Sequence, residues 1–379
     1  MKHTLFLSLA FAGLSALCLT SCKGGSEQGN NAKNDSSAVE LPDLKGDEQL
    51  NKALRFYAGI SREGIEMSAA DAASWDNYST SFKQLVATTD KTRQQMDSIA
   101  KHDFADFRDS TDYVFYPFSA ADFIYANAIF PDADTYFLCG LEKVGTPISG
   151  ELRKTSSHYA AYSKALSIFF RSTYFVTKDM KQELDNQELD GVAPVITMLM
   201  AVAGREVISV EQCNFDGEGN IVATDPSKAD VLRVKFFKPG TKHEQTLIYV
   251  SGDIADGRFN PNLKKYIENT LSQHHVSCFL KAASFLMTQD NFSEIRNIIL
   301  RHSKAVIQDD SGVPFRYFAE NGFETTLYGA YVRPLSCFSE KCMQYDLQEL
   351  YNTQASKVHP LPFYIGYSKP SSWVVARKK

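Results

Sequence analysis

Adjacent carboxylates at Asp309 and Asp310, followed by Ser311-Gly312 and then Arg316 and Tyr317, are the side chains whose types and spacing best suit chemistry. Two acids beside an arginine suit general acid–base catalysis, a metal ion or the grip on a polar ligand. Asp309, Asp310 and Arg316 are therefore the catalytic candidates, with Tyr317 as a ligand-binding neighbour. On a strand, neighbouring side chains point to opposite faces, so both acids meet one ligand only where the backbone turns. The plainer reading is an Asx-type turn with a structural Asp–Arg pair.

A second group lies in the stretch Asp112 to Glu142, DYVFYPFSAADFIYANAIFPDADTYFLCGLE. It reads as a strand over 113–118, a short helix over 120–130 and a strand over 135–141, the unit of a right-handed parallel crossover. Glu142 ends the second strand, where a dinucleotide or methyltransferase site would hold a ribose, and is a ligand-binding candidate. The intervening turn, Pro117-Phe118-Ser119-Ala120-Ala121, has no glycine to let the backbone approach a pyrophosphate, and no cofactor is expected. Ser119 is either a hydroxyl exposed to a ligand or, the favoured reading, the N-cap of the short helix.

Other motifs have bland explanations. Lys281 and Ser284 in FLKAASFLM stand at helical i,i+3 spacing, but the order is the reverse of S-x-x-K, so a surface lysine and a buried serine are expected. The DGEGN segment at 216–220 has alternating oxygen ligands but lacks the distal glutamate of a calcium loop, and reads as a hairpin turn. His243-Glu244 lacks a second histidine at metalloprotease spacing, and His274-His275 would diverge on a helix. No metal site is expected. Cys337 and Cys342 would bridge only from a loop.

The elements that position these groups begin with a helical region over 47–108, where Leu50, Ala53, Leu54 and Tyr57 share a face and Ser68 caps a second helix carrying Trp75, Tyr78 and Phe82. After the crossover unit, a long helix carries Tyr159, Tyr162, Leu166 and Phe169, and two more helices run up to Gly204. An antiparallel meander spans 205–252, with strands at 231–237 and 245–250. Helices return at 261–272, capped by Asn260 with Pro261 first, and at 292–302. A strand at 305–308 enters the Asp309 loop, and a last strand is expected at 361–367. The pattern predicts one mixed α/β domain over 47–379: a central mixed sheet with an antiparallel meander, surrounded by helices.

The N-terminus has a short basic start, an apolar run from Leu5 to Leu19, and then Leu19-Thr20-Ser21-Cys22. The run is shorter than the roughly 20 apolar residues of a membrane span and fits a secretory signal. Its end resembles the lipobox of bacterial lipoproteins, which implies removal of residues 1–21 and lipidation of Cys22. Lys23 resembles the pattern of outer-membrane sorting. Residues 22–46, rich in Gly, Ser and Asn, read as a flexible tether. The formal charge of −5, without a basic run, excludes a nucleic-acid footprint.

Several phrases resemble an uncharacterised family of secreted proteins and lipoproteins of Bacteroidota: FYPFSAADFIYA, FPDADTYFLCGLE, QTLIYVSGDI, FLKAASFLM, QDDSGVPFRYF, LYGAY and PLPFYIGY. The resemblance runs from about residue 111 to 368 and implies an intact unit in the cell envelope; it implies no activity, cofactor or catalytic residue. The function expected is that of an envelope lipoprotein, membrane-anchored through Cys22, that binds a glycan, peptide or envelope protein. The alternative is a hydrolase of envelope polymers working through Asp309 and Asp310.

Overall fold

The computed structural model describes residues 43–175, 182–184, 188–338, 340–367 and 370–379. Cys22, the signal and most of the tether lie outside them. Pro42–Lys379 form one compact unit.

Among the described residues ten strands, numbered in chain order, make a single mixed sheet in the order β4-β3-β5-β6-β2-β1-β7-β8-β10-β9. Its centre is parallel: β6 (Glu244–Ser251), β2 (Thr135–Gly140), β1 (Tyr113–Tyr116), β7 (Val276–Leu280) and β8 (Ser303–Gln308) all run the same way. Antiparallel strands extend both edges. On one side stand β5 (Val231–Phe237), β3 (Glu206–Phe215) and β4 (Ile221–Ala223); on the other stand β10 (Ser372–Lys378) and β9 (Phe323–Gly329). The short β4 pairs on the outer edge of β3, and the chain then crosses back to lay β5 on the inner side. Asp216 makes the hairpin turn between β3 and β4 by accepting from the amides of Glu218 and Asn220.

The central strands read as continuous apolar runs because helices cover both faces. Val114 and Tyr116 of β1 join one core, and Tyr113 and Phe115 join the other, as the two-residue period of a strand requires. The first core packs against α1 (Glu48–Tyr57), α2 (Ala69–Asp103), α4 (Phe123–Ile129), α5 (Ser156–Ser172) and α6 (Ala193–Val202), with the short α3 (Ala105–Arg108) after α2. The second packs against α7 (Pro261–Leu271), α8 (Ser293–His302), α9 (Arg316–Glu320) and α10 (Tyr345–Thr353). Full burial of an apolar side chain such as Phe279 stabilises the fold by about 1.5–3 kcal/mol.

Local signals set most helix starts. Asp47 and Ser68 cap α1 and α2 by accepting from Leu50 N and Asp71 N, and Asn260 caps α7 with Pro261 in the first turn. The helical region docks on the sheet through Asn51, whose amide both donates to and accepts from the backbone of Val207 at 2.8 Å. Among the described residues no helix is long and apolar enough to cross a membrane.

Three expectations need correction. The segment 361–367 is loop, and the last strand is β10 at Ser372–Lys378. FLKAASFLM is not an α-helix: Phe279 and Leu280 end β7, the chain then turns sharply, and Leu286 and Met287 open a short 3-10 turn. Ser119 does not cap α4. Asp122 does, through Tyr125 N, while Ser119 Oγ accepts from Cys139 N at 3.0 Å and ties the loop to β2.

Candidate functional site

From β1 the chain goes to β2 and on to the outer strands β3 and β4, comes back inward through β5 and β6, and then crosses to the other side of β1 for β7 and β8. The order therefore reverses between β1 and β7. Loops leaving the carboxyl ends of strands at such a reversal diverge and leave a crevice, the usual ligand position in open α/β sheets. A cleft of about 400 Å³ opens here, within the size range of small-molecule sites. The loop after β1 (117–120), the end of β2 (139–141), the loop after β6 (252–254) and the turn after β7 (281–284) line it.

A buried ion pair crosses beneath the cleft. Lys281 Nζ lies 2.8 Å from Asp122 Oδ2, with both side chains 1 % exposed. The same ammonium donates to the carbonyl of Thr173, just beyond α5, and lies 4.9 Å from the centre of the Tyr125 ring. Asp122 also accepts from the Tyr116 hydroxyl at 2.8 Å. Burial pushes the Asp122 carboxyl above its usual range, and the charge of Lys281 pulls it back. One lysine thus ties together the β1 loop, the end of α5 and the end of β7.

The turn after β7 is held from β8. Asp309 accepts from Ala282 N at 2.8 Å, from Ser311 N at 2.9 Å and from Ser311 Oγ at 2.5 Å. Ser311 Oγ in turn accepts from Ala283 N at 2.7 Å. These bonds stabilise an uncommon backbone: Ala282, Ser284 and Phe285 have φ of 53°, 54° and 55°. Ala120, at 49°, and Thr173, at 66°, complete the set of non-glycine residues with left-handed φ among the described residues. All five lie in or beside the cleft wall: Ala120, Ala282 and Ser284 line it, Thr173 holds Lys281, and Phe285 packs on the lining ring of Phe338 at 4.8 Å. Each such residue costs about 1–3 kcal/mol unless its surroundings over-determine it, and such residues gather at ligand and active sites.

Aromatic rings make the rest of the wall. Tyr367 meets Tyr174 at 4.8 Å and Phe338 at 5.2 Å, and Phe118 meets Phe292 at 6.2 Å. The Tyr367 hydroxyl donates to Ala282 O at 2.8 Å, so at 2.7 Å the Ser284 hydroxyl must be the donor to Tyr367. Burial, then the Asp309 carboxylate, push the Tyr367 phenol up to about 12 against the lowering effect of Ser284. Cys139 also lines the cleft, but burial, then Glu142 and Asp253, push its thiol up to about 12, which makes it a poor nucleophile.

The sequence candidates separate. Ser119 lines the cleft. Glu142 is buried behind it, against Gly140, with the Tyr249 hydroxyl donating to its carbonyl at 2.8 Å. Asp309 is a strut of the cleft floor. Asp310 diverges from it: its carbonyl accepts from Gln344, and after burial its charge is the next cause that raises the Tyr351 phenol. Arg316 does not join the two acids in a site; it stacks on Tyr317 at 4.8 Å, and that ring also carries Arg296 at 4.6 Å. Tyr317 is not among the residues lining the cleft. Among the described residues no group of three or more His, Cys, Asp or Glu is placed to hold a metal. Cys337 and Cys342 are unbridged.

Lys281, Asp122, Ser284 and Tyr367 went unrecognised as a site. Only the left-handed turn, which no helical spacing betrays, brings them together. At the start of α4, where a doubly wound domain commonly places a pyrophosphate, the chain puts its own Asp122 carboxylate. No protein-family model, no curated protein and no solved structure matches this chain.

Proposed function

We propose that the chain is a ligand-binding domain held at the cell envelope through Cys22, and that its cleft between β1 and β7 takes a small, ring-bearing or otherwise largely apolar molecule. The observation that carries this reading is how the polar groups around the cleft are used. Asp309 and Ser311 are spent on the amides of a strained turn, Asp122 and Lys281 on each other, and Ser119 on the end of β2. Such groups build a rigid, preformed pocket, and preorganisation favours affinity by lowering the ordering cost of binding. A hydrolase would need one of these carboxylates turned to a substrate with a nucleophile at hand. Asp309 engaged with backbone amides favours binding over catalysis. Aromatic faces with a few polar groups suit a sugar ring or a peptide side chain. A purely structural subunit would present one large apolar patch; the exposed large apolar residues include Leu141 and Leu335 in the cleft wall and Ile60, Val222 and Tyr345 in or beside α1, β4 and α10.

A thermal-shift screen of the purified protein against glycans, muropeptides and small aromatic molecules tests this. Leu141→Trp, at an exposed position of the cleft wall, is the blocked control. A ligand that raises the melting temperature by several degrees in the natural protein and not in Leu141→Trp supports the reading. A ligand equally effective on both puts the site elsewhere.

A further inference from the structure

We infer that the cleft selects a cation: a primary or quaternary ammonium group carried on a small apolar or aromatic body. This rests on the binding reading above and names the ligand class.

Charge comes first. Among the described residues, Lys281 is the one basic side chain lining the cleft, and it has nothing to offer an anion. Its ammonium is matched by Asp122, bonded to the Thr173 carbonyl and seated on the Tyr125 ring. The acid in the lining is Asp253. One of its oxygens accepts from Ala255 N at 3.0 Å, and the other meets Arg258 at 3.0 Å, an arginine whose side chain is 68 % exposed. An ion pair so wet contributes little, so a ligand ammonium can replace Arg258 at small cost. Glu142 stands behind Gly140, with the Tyr249 hydroxyl donating to its Oε2 at 3.3 Å. That Glu142 and Asp253 both raise the Cys139 thiol agrees with a negative field at this end of the cleft.

Hydrogen-bond polarity points the same way. The Tyr367 proton goes to Ala282 O and the Ser284 proton goes to Tyr367, which leaves Ser284 Oγ presenting lone pairs. Ser119 Oγ accepts from Cys139 N and donates to Ala120 O. The lining thus includes the acceptor Ser284 Oγ and the rings of Tyr174, Phe338, Tyr367, Phe118 and Phe292. Ring faces attract cations, most of all where water is excluded, and aromatic walls beside a carboxylate are the usual receptor for ammonium groups.

The test compares matched ligands by calorimetric titration of the full chain. Choline is set against the alcohol in which a tert-butyl group replaces trimethylammonium, and benzyltrimethylammonium against benzyl alcohol and benzoate. The cations should bind about 10-fold more tightly than their uncharged partners, and benzoate should bind weakest. Asp253→Asn should weaken the cations about 3-fold or more and leave the uncharged ligands unchanged. Phe338→Leu, which keeps an apolar wall, should weaken the cations more than the uncharged ligands. Uncharged ligands or benzoate binding as tightly as the cations would overturn the inference while leaving the binding reading intact. Absence of binding by every compound, with the fold verified by melting, would overturn the inference and count against the cleft as a site.

Discussion

Replacing Lys281 with methionine isolates the contact that ties the cleft walls together. Methionine keeps an unbranched stem but removes the ammonium from the Tyr125 and Phe169 rings, leaving Asp122 with the Tyr116 hydroxyl and the Tyr125 amide. Stranding one partner of a buried ion pair costs about 3–5 kcal/mol. Asp122→Asn strands the ammonium instead and should cost a similar amount, although asparagine keeps the cap of α4. The double variant leaves no buried charge and should lose only about 1–2 kcal/mol, which gives a coupling energy of about 4 kcal/mol or more. The assay is urea unfolding at neutral pH with linear extrapolation.

The same variant carries a pH signature. The folded Asp122 carboxyl lies above its ordinary 3.8, so the folded state holds this proton more tightly than the unfolded chain. Its contribution is most favourable below the unfolded value and is lost as pH rises through the folded one. Removing Lys281 raises the folded value further, so the cost of Lys281→Met should be largest at neutral pH and shrink toward about pH 4. Additive single effects, a cost below about 1 kcal/mol, or a cost independent of pH would refute the picture of a charged, interdependent pair.

Three further outcomes are expected. Ala282→Gly removes a left-handed penalty of about 1 kcal/mol against a glycine entropy cost of about 0.5–1 kcal/mol, so it should be neutral or stabilising; the exposed helical Ala73→Gly should cost about 1 kcal/mol, and equal losses in urea melts would contradict the strain at the turn. Gly366→Ala puts a Cβ onto the Asp309 carboxylate at a φ of 71° and should cost more than about 2 kcal/mol; an unchanged melting temperature would contradict the packing of this wall. His158, on α5, is held below its ordinary 6.5 by burial first, against the raising effect of Glu188. Its stability contribution is complete above 6.5 and is lost as pH falls through the window below it, so His158→Gln should flatten the melting temperature between about pH 7 and 5, and an unflattened profile would contradict this.

How much of this was legible in the sequence depended on whether the cause was local. The 113–140 crossover could be read because Tyr113–Tyr116 is an unbroken apolar run stopped by Pro117, and α7 because Asn260-Pro261 announces it. FLKAASFLM misled because leucine, alanine, lysine and methionine all favour helix, while the turn is imposed by Asp309 and Ser311 from the next strand. The burial of Lys281 was hidden for the same reason, since Asp122 lies far away in the chain. Asp309 and Asp310 could be picked out as unusual, but their use is structural: one braces a turn and the other faces away from it. The terminal strand β10 escaped because the chain ends in Arg377-Lys378-Lys379 and its partner β9 was not recognised.

The central claim is that a small molecule sits between β1 and β7 in contact with the turn after Leu280. Methyl NMR of the purified protein, titrated with the best compound from the thermal-shift screen, tests it most directly. The methyl signals of Leu141, Ala282, Leu286 and Leu335, all in the cleft wall, should shift together and saturate, while Val222 on β4 stays still. Saturable shifts confined to other methyls would place the ligand elsewhere and contradict the account.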